Sequence, residues 1–181
     1  MFKYVCTLVT LLLFTSIACF AQNSILNVGL RLQKTVNLYH ENGIAIEYSS
    51  KVFKPDRVYF GFSYVTSRLG TAYRSNAIKQ DNYLLSAAYY FRQGHVIRPV
   101  VRLNTGYFSA SYGHKIFDDL PQSSLILSGD AGVAIQTHSP LKFAATLGYN
   151  TITGNGVKGP GTLYPVFYQL TISWNLLSHQ K

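Results

Sequence analysis

Hydrophobic and polar residues alternate with a period of two along most of the chain. Residues 168–175 alternate without exception, with Tyr, Leu, Ile and Trp at even positions and Gln, Thr, Ser and Asn at odd positions. A strand whose two faces meet different surroundings has this pattern, because successive side chains point to opposite faces. The pattern predicts eight strands, at residues 25–32, 43–50, 57–67, 81–92, 98–109, 124–136, 141–151 and 163–175.

The segments between the predicted strands alternate in length. The short ones are residues 51–56, 93–97 and 137–140. The longer ones, which carry much of the Gly, Asn and charge, are residues 33–42, 68–80, 110–123 and 152–162. Short turns at one end and long loops at the other are typical of outer-membrane barrels, and a barrel must close because a bilayer offers no water to an unpaired strand edge. The prediction is therefore an all-β fold: an eight-stranded antiparallel transmembrane up-and-down β-barrel with short periplasmic turns and longer extracellular loops.

The composition indicates which strand face meets lipid. Charged residues are 13% of the chain, against roughly 25% in soluble globular domains. The polar face consists mostly of Gly, Ala, Ser, Thr and Asn and has too few charges for a surface in water. The other face is rich in Tyr and Phe near the strand ends, as expected of aromatic girdles at a membrane interface. These faces disfavour the alternative, a soluble lipocalin-like barrel with its apolar face inside.

The N-terminal residues predict export. Lys3 precedes an apolar run over residues 5–17, and small residues at positions 19 and 21 suit cleavage before Gln22. This arrangement is typical of a secretory signal peptide, here residues 1–21, which leaves residues 22–181 as a single outer-membrane barrel domain.

A lipoprotein signal is the alternative for the same segment. Residues 16–19 form a degenerate lipoprotein box, in which Cys19 would be lipidated. With cleavage after Ala21, both Cys6 and Cys19 leave with the signal. Disulfides, thiolate metal sites and cysteine nucleophiles are then excluded from the mature chain.

Charged and amide side chains on the polar face predict a polar network inside the barrel. Eight strands enclose a lumen that side chains fill, so a water-filled pore is not expected. Arg31 and Glu47 lie inward on neighbouring predicted strands, as do Arg102 and Asp130, with Gln169 as an uncharged partner. Because unpaired buried charges are costly, we expect compensated pairs. An ion or proton path is the alternative.

One group of residues could carry catalysis. Ser111, His114 and Asp118 fall in the third predicted outer loop, and a Ser–His–Asp triad is defined by geometry rather than by sequence order. A polar, solvated loop is the simpler interpretation. The barrel deacylases that trim lipid A carry a His-x-Ser pattern late in the chain, whereas the comparable residues 148–151 contain no His. Since no His follows a metal-ligand spacing either, we predict no catalytic site, no metal and no cofactor.

The positive charge predicts contact with lipid phosphates. The formal net charge is +9. The predicted outer loops carry the basic residues Arg68, Arg74, Lys79, Lys115 and Lys158. Nucleic acid is not a plausible partner for such a barrel, whereas the phosphates of lipopolysaccharide are, since Arg and Lys pair with phosphate oxygens. General attraction to lipid headgroups without specificity is the alternative.

The whole mature chain resembles a known class of proteins. The ending Phe20-Ala21-Gln22, the eight alternating segments and the aromatic-rich strands resemble small outer-membrane β-barrel proteins of the OmpA/OmpX/OmpW type. The signal ending and segments such as residues 64–70 look like members from Bacteroidota-type bacteria. One departure is that residues 175–181 follow Trp174, whereas such barrels usually finish on a terminal aromatic that the insertion machinery recognises.

The resemblance implies a location but not a specific activity. It places the chain in the outer membrane of a Gram-negative bacterium, with outer-membrane lipid and lipopolysaccharide as neighbours. A non-enzymatic structural or interaction role, including that of an accessory subunit of a larger outer-membrane complex, is the first hypothesis. The alternatives are a lipid-modifying barrel enzyme and a narrow channel or carrier for small apolar molecules.

Overall fold

The chain forms a closed barrel of eight antiparallel strands, in which each strand pairs with the next along the chain and the last pairs with the first. The computed structural model describes residues 24–35, 40–50, 56–70, 76–113, 122–137, 139–153 and 166–176. The strands are β1 (Ser24–Thr35), β2 (His40–Ser50), β3 (Val58–Gly70), β4 (Asn76–Tyr90), β5 (Ile97–Tyr112), β6 (Ser123–Gln136), β7 (Leu141–Thr153) and β8 (Val166–Asn175). The predicted eight-stranded up-and-down barrel is confirmed. The predicted signal peptide lies outside the described residues.

The strands extend further than predicted at one end of the barrel, here called the outer end, where β1 joins β2 and β3 joins β4. Residues 36–39 and 71–75 lie between these strands, in place of the predicted 33–42 and 68–80. The longer extracellular loops are therefore not confirmed for these two connections. The pattern failed because Gln33 and Glu41, which face the lumen, adjoin other polar residues, so the alternation that marks a strand disappears.

The register of the pairs fixes the tilt of the strands. One circuit of paired residues runs from Leu26 through Tyr48, Phe60, Ala87, Leu103, Gly129 and Tyr149 to Val166. Phe167, the residue after Val166, pairs with Thr35, so the position of β1 that corresponds to Val166 is one residue beyond Thr35. The circuit therefore returns to β1 ten positions after its start at Leu26. With ~3.3 Å per residue and ~4.8 Å between strands, this stagger tilts the strands by roughly 40° from the barrel axis, which is usual for barrels.

The outward face is apolar around the middle of the barrel. The side chains of Leu30, Ile44, Leu85, Leu103 and Leu147, on five different strands, are each more than half exposed. Such a belt is unfavourable in water, where each Å² of apolar surface costs about 25 cal/mol, and is at home in hydrocarbon. In the described part of the chain, no helix has the length and apolarity needed to cross a bilayer.

Aromatic side chains mark both edges of this belt. Near the outer end, Tyr64, Tyr83 and Tyr107 are opposite one another on β3, β4 and β5, and the ring centroids of the first two are 5.3 Å apart. Tyr149 and Tyr168, on β7 and β8, complete this outer tyrosine girdle and are about half exposed. The aromatics toward the other end are Tyr48, Phe60, Tyr89, Phe91, Phe143 and Trp174. An apolar belt between aromatic girdles, around a polar interior, is the arrangement of a membrane-spanning barrel.

Candidate functional site

All five residues predicted for the lumen face it and are at most 5% exposed: Arg31, Glu47, Arg102, Asp130 and Gln169. The β-strand alternation that keeps the outward face apolar is what sends them inward. Three further cations and carboxylates that were not singled out are buried with them, namely Glu41, Arg98 and Lys142. The described lumen therefore contains an ionic core in addition to small residues.

Glu47 on β2 is the centre of this core. Arg102 Nη2 donates to Glu47 Oε1 at 2.7 Å, and Lys142 Nζ lies 3.6 Å from Glu47 Oε2. The Tyr90 hydroxyl donates to the same Oε2 at 3.4 Å. Four strands thus meet at one carboxylate, and its attraction to two cations offsets part of the cost of taking these charges out of water.

Asp130 on β6 shares Arg102 with Glu47. Arg102 Nη1 lies 3.9 Å from Asp130 Oδ1, and Asn104 Nδ2 donates to Asp130 Oδ2 at 3.1 Å. The same amide nitrogen of Asn104 lies 3.1 Å from the Ser128 hydroxyl. Arg102 and Lys142 therefore balance Glu47 and Asp130, as expected of a compensated network.

Arg31 and Glu47 lie on neighbouring strands but are not partners in register. Gly43 is opposite Arg31, and Asn27 is opposite Glu47. Arg31 instead donates to the Ser63 hydroxyl at 3.0 Å and to Gln33 Oε1 at 3.1 Å. Glu47 pairs with Arg102 across the lumen, because inward side chains of so narrow a barrel reach strands that are not adjacent.

Glu41 balances Arg31 through an amide. Gln33 accepts from Arg31 and donates through Nε2 to Glu41 Oε2. Residues His40 and Glu41 were expected in the first outer loop, and both belong to β2. The register of β2 with β1 places Glu41 opposite Gln33, which explains the relay.

An ion pair between Arg98 and Asp56, here called the Arg98–Asp56 plug, lies at the end of the barrel opposite the outer end, here called the inner end. Arg98 Nη1 lies 2.9 Å from both carboxylate oxygens of Asp56 and donates to Gln136 Oε1 at 3.0 Å. Arg98 Nη2 donates to the Asp56 carbonyl oxygen, and the Tyr59 hydroxyl donates to Asp56 Oδ1 at 2.8 Å. Asp56 precedes β3 with a φ of 61°, a left-handed conformation that Asp adopts more readily than most residues.

Apolar layers fill the space on both sides of the ionic core. Toward the inner end, the layer consists of Tyr59, Ala88, Tyr90, Val100, Ala134 and Ala144. Lys142 Nζ lies 3.5 Å from the Tyr90 ring centroid, a cation–π contact. Toward the outer end, Val65, Leu84, Phe108 and Ile126 form a second cluster. A cavity of about 10 Å³ beside Arg31, Gln33 and Glu41 has room for about one water molecule.

The residues considered for catalysis are only partly described. Ser111 lies on β5 with an exposed side chain, opposite Lys79 in register. His114 and Asp118 lie outside the described residues, so a triad stays a hypothesis. Across the described ranges, no group of three or more His, Cys, Asp or Glu side chains is placed to hold a metal ion.

Two of the basic residues predicted for the outer loops belong to strands. Arg68 on β3 is opposite Lys79 on β4, whose side chain is exposed, and Lys79 is opposite Ser111 on β5. The strands extend further than the alternation predicted, which moves Arg68 and Lys79 from loop to barrel wall. Arg74, Lys115 and Lys158 lie outside the described residues.

A polar tier separates Lys79 from the outer tyrosine girdle. Asp81, two residues along β4, accepts hydrogen bonds from the Thr66 hydroxyl at 2.7 Å and the Tyr64 hydroxyl at 3.1 Å. Ser109 on β5 is opposite Asp81. From the membrane middle outward, β3 to β5 therefore present apolar, tyrosine, hydroxyl–carboxylate and cationic positions. This order of side chains along the barrel wall follows the change from acyl chain to headgroup in a lipid leaflet.

Solved structures share this fold at low sequence identity. The N-terminal β-barrel domain of Pseudomonas aeruginosa OprF superposes with a TM-score of 0.62 and 18% identity, over 85% of this chain and 98% of that one. The outer membrane protein OprG from the same organism gives 0.53 and 13%, over 86% and 96%. A de novo designed transmembrane β-barrel gives 0.55 and 10%, over 86% and 98%.

The comparisons bear on the fold rather than on the activity. No protein-family model matches the sequence, and no curated protein matches it. The resemblance to small outer-membrane barrels is confirmed for the architecture. The origin in Bacteroidota-type bacteria stays a prediction.

Proposed function

We propose that this integral barrel of a Gram-negative outer membrane has a non-catalytic, structural role, and that its outer rim is held by the phosphates of lipopolysaccharide. The observation that carries the structural role is the filled lumen. The Arg98–Asp56 plug, two apolar layers and the Glu47 network follow one another along the axis. A path for ions or for apolar molecules would have to displace all of them.

The filled lumen predicts that the reconstituted protein does not conduct ions. In planar bilayers with 1 M KCl, we expect current at the level of protein-free membranes at 100 mV. A designed variant with Arg98→Ser and Tyr90→Ala, which removes the plug and part of the inner layer, is the positive control for leakage. Steady unitary currents from the unaltered chain would contradict the structural role and favour the channel hypothesis.

Support for the phosphate contact comes from the tiers on β3 to β5. Lys79 stands at the edge of the barrel wall, beyond a hydroxyl–carboxylate tier that suits the sugar hydroxyls and amides of a glycolipid. A basic side chain near an anionic lipid surface contributes about 1 kcal/mol. Arg68 is opposite Lys79 in the register of β3 with β4, so a second basic residue occupies a neighbouring position of the rim.

The Lys79→Gln substitution should weaken lipid A binding about fivefold, which corresponds to about 1 kcal/mol. Binding is measured by titrating lipid A into the detergent-solubilised protein at low salt. Arg92→Gln is the matched control, because Arg92 is exposed at the inner end of the barrel. Equal losses in both variants would show attraction without a specific site, and no loss from Lys79→Gln would remove the proposed contact.

An accessory subunit of a larger outer-membrane complex is the form of this structural role that we favour. Because side chains occupy the described lumen, the outer surface of the barrel is the part that we propose is available for function. We expect the protein extracted from native membranes in mild detergent to co-migrate with a larger assembly at fixed stoichiometry. A particle of barrel size alone would instead favour a self-contained, lipid-binding role.

A further inference from the structure

A groove of about 440 Å³ crosses the lipid-facing wall over β5, β6 and β7. Gly129 and Ala131 on β6 form its floor, and Leu103, Leu147 and Tyr149 form its walls. The side chains of all three wall residues are at least half exposed, so the groove opens to the outside of the barrel.

Contacts within the chain do not explain why residue 129, in the floor of the groove, is a glycine. The other strand glycines whose surroundings are described would each place a Cβ less than 3.0 Å from a neighbouring atom: Gly29, Gly43, Gly61, Gly106, Gly132 and Gly148. At Gly129 an ideal Cβ would lie 3.6 Å from Leu103 Cδ2 and 3.9 Å from the Arg102 carbonyl oxygen, which are ordinary contacts. The space above Gly129 is therefore not needed by the barrel's own packing.

Backbone geometry does not require glycine here either. The pairing of β6 with β5 and with β7 continues through Gly129 without a register shift, so no bulge is present. Its φ lies outside the left-handed region in which glycine is favoured. A glycine inside a regular strand weakens the strand and often marks the close approach of another molecule to the backbone.

We propose that the Gly129 groove holds one acyl chain of an outer-leaflet lipid. Gly129 is opposite Tyr149 of the outer tyrosine girdle, so the groove begins at that girdle and runs toward the membrane middle. This is the course of an acyl chain that descends from an outer headgroup. The outward side chains along the groove are apolar apart from the Tyr149 hydroxyl: Val101, Leu103, Ala131, Leu147 and Val166.

A second copy of the chain fits this groove less well. A two-fold contact centred on Gly129 would set one groove against the other, because a two-fold interface joins identical surfaces. Two facing grooves leave an apolar void, and atoms that line a void lose dispersion contacts. A single acyl chain is narrow, flexible and without hydrogen-bonding groups, and the groove is continuous with the belt that such chains already cover.

The experiment counts lipids that stay on the protein after extraction. The full mature chain is reconstituted in bilayers of phosphatidylethanolamine, with or without lipid A, transferred to mild detergent and analysed by native mass spectrometry. We expect the unaltered chain to retain one lipid, and Gly129→Leu, which fills the groove, to lower the retained fraction at least tenfold. Retention from phosphatidylethanolamine alone assigns the groove to any acyl chain, and retention only with lipid A assigns it to that glycolipid.

Two further variants keep the test decisive. Ala87→Leu adds similar bulk to the lipid-facing wall on β4 and should leave retention unchanged. Gly129→Ala adds one carbon at ordinary contact distance, so it folds even if Gly129→Leu does not, and it should lower retention severalfold. Equal retention by the unaltered chain and the folded Gly129 variants would overturn the proposal. Dimers that Gly129→Leu separates into monomers would overturn it in favour of a second copy.

The inference rests on the membrane location and not on the proposed phosphate contact. Lys79 lies on β4, away from the groove on β5 to β7. If Lys79→Gln leaves lipid A binding unchanged while Gly129→Leu releases the retained lipid, the phosphate contact fails and the groove stands. If Lys79→Gln weakens lipid A binding while Gly129→Leu still retains the lipid, the proposed acyl-chain site fails and the phosphate contact stands.

Discussion

Replacing Arg102 with methionine should lower the free energy of unfolding by about 3–5 kcal/mol, the usual cost of removing one partner from a buried ion pair. Arg102 is the cation shared by Glu47 and Asp130. Without it, Glu47 keeps Lys142 at 3.6 Å, and Asp130 keeps the amide of Asn104. Two carboxylates with at most 5% exposure would then face a single ammonium group.

Urea unfolding in detergent micelles, followed through the single tryptophan, Trp174, measures this loss. Lys79→Met is the matched control, since it removes a positive charge from an exposed position and should change stability by no more than about 0.5 kcal/mol. Adding Glu47→Gln to Arg102→Met should recover part of the loss, because one uncompensated charge disappears. A loss below about 1 kcal/mol for Arg102→Met would contradict the central role given to this network.

The Gly132→Ala substitution should lower the free energy of unfolding by about 3 kcal/mol, the upper end of the usual cost of overpacking. Gly132 faces the lumen on β6. An ideal Cβ there would overlap the Ala145 carbonyl oxygen and lie 2.6 Å from Thr146 Cα, both backbone atoms of the neighbouring strand. Backbone atoms of a paired strand cannot turn aside as a flexible side chain can, so the strand itself must move.

The same substitution three positions earlier supplies the control. Gly129→Ala adds an identical methyl group on the same strand, but on the open outward face, and should raise the free energy of unfolding by about 0.5–1 kcal/mol through reduced freedom of the unfolded chain. Parallel urea unfolding of the two variants measures the difference. Equal shifts would mean that the close approach at Gly132 relaxes without cost.

The alternation of side chains was enough to predict the strands and the barrel, and the composition of the two faces indicated which of them faces inward. Each strand has one face toward the apolar belt and one toward the polar lumen. The period of two could therefore be recognised wherever one face is uniformly apolar, as in β8. It was lost near Gln33 and Glu41, where polar residues stand on both faces of the strand ends. The bounds of β1 and β2 were therefore wrong there, although the strands themselves were right.

The partners inside the lumen could not be predicted from alternation. Glu47 and Arg102 are 55 residues apart and meet across the barrel, which depends on the stagger accumulated around the circuit. Asp56 gave no signal in the sequence, because its role depends on a turn that folds it over Arg98. The interior aromatics were also missed: Phe167 is fully buried because an inward glycine, Gly148, leaves the space that its ring occupies.

The ionic core also has a consequence for how strands find their alignment during assembly. A slip of one strand by two residues keeps every side chain on its own face, because the pattern repeats every two positions. Such a slip moves Arg102 along its strand by roughly 7 Å relative to Glu47, at ~3.3 Å per residue, and separates the two charges. An even slip therefore leaves the lipid-facing surface apolar, whereas only one alignment keeps the ion pairs of the lumen together. Buried charges that add little net stability would in this way select the native alignment among several barrels whose outer faces are equally apolar.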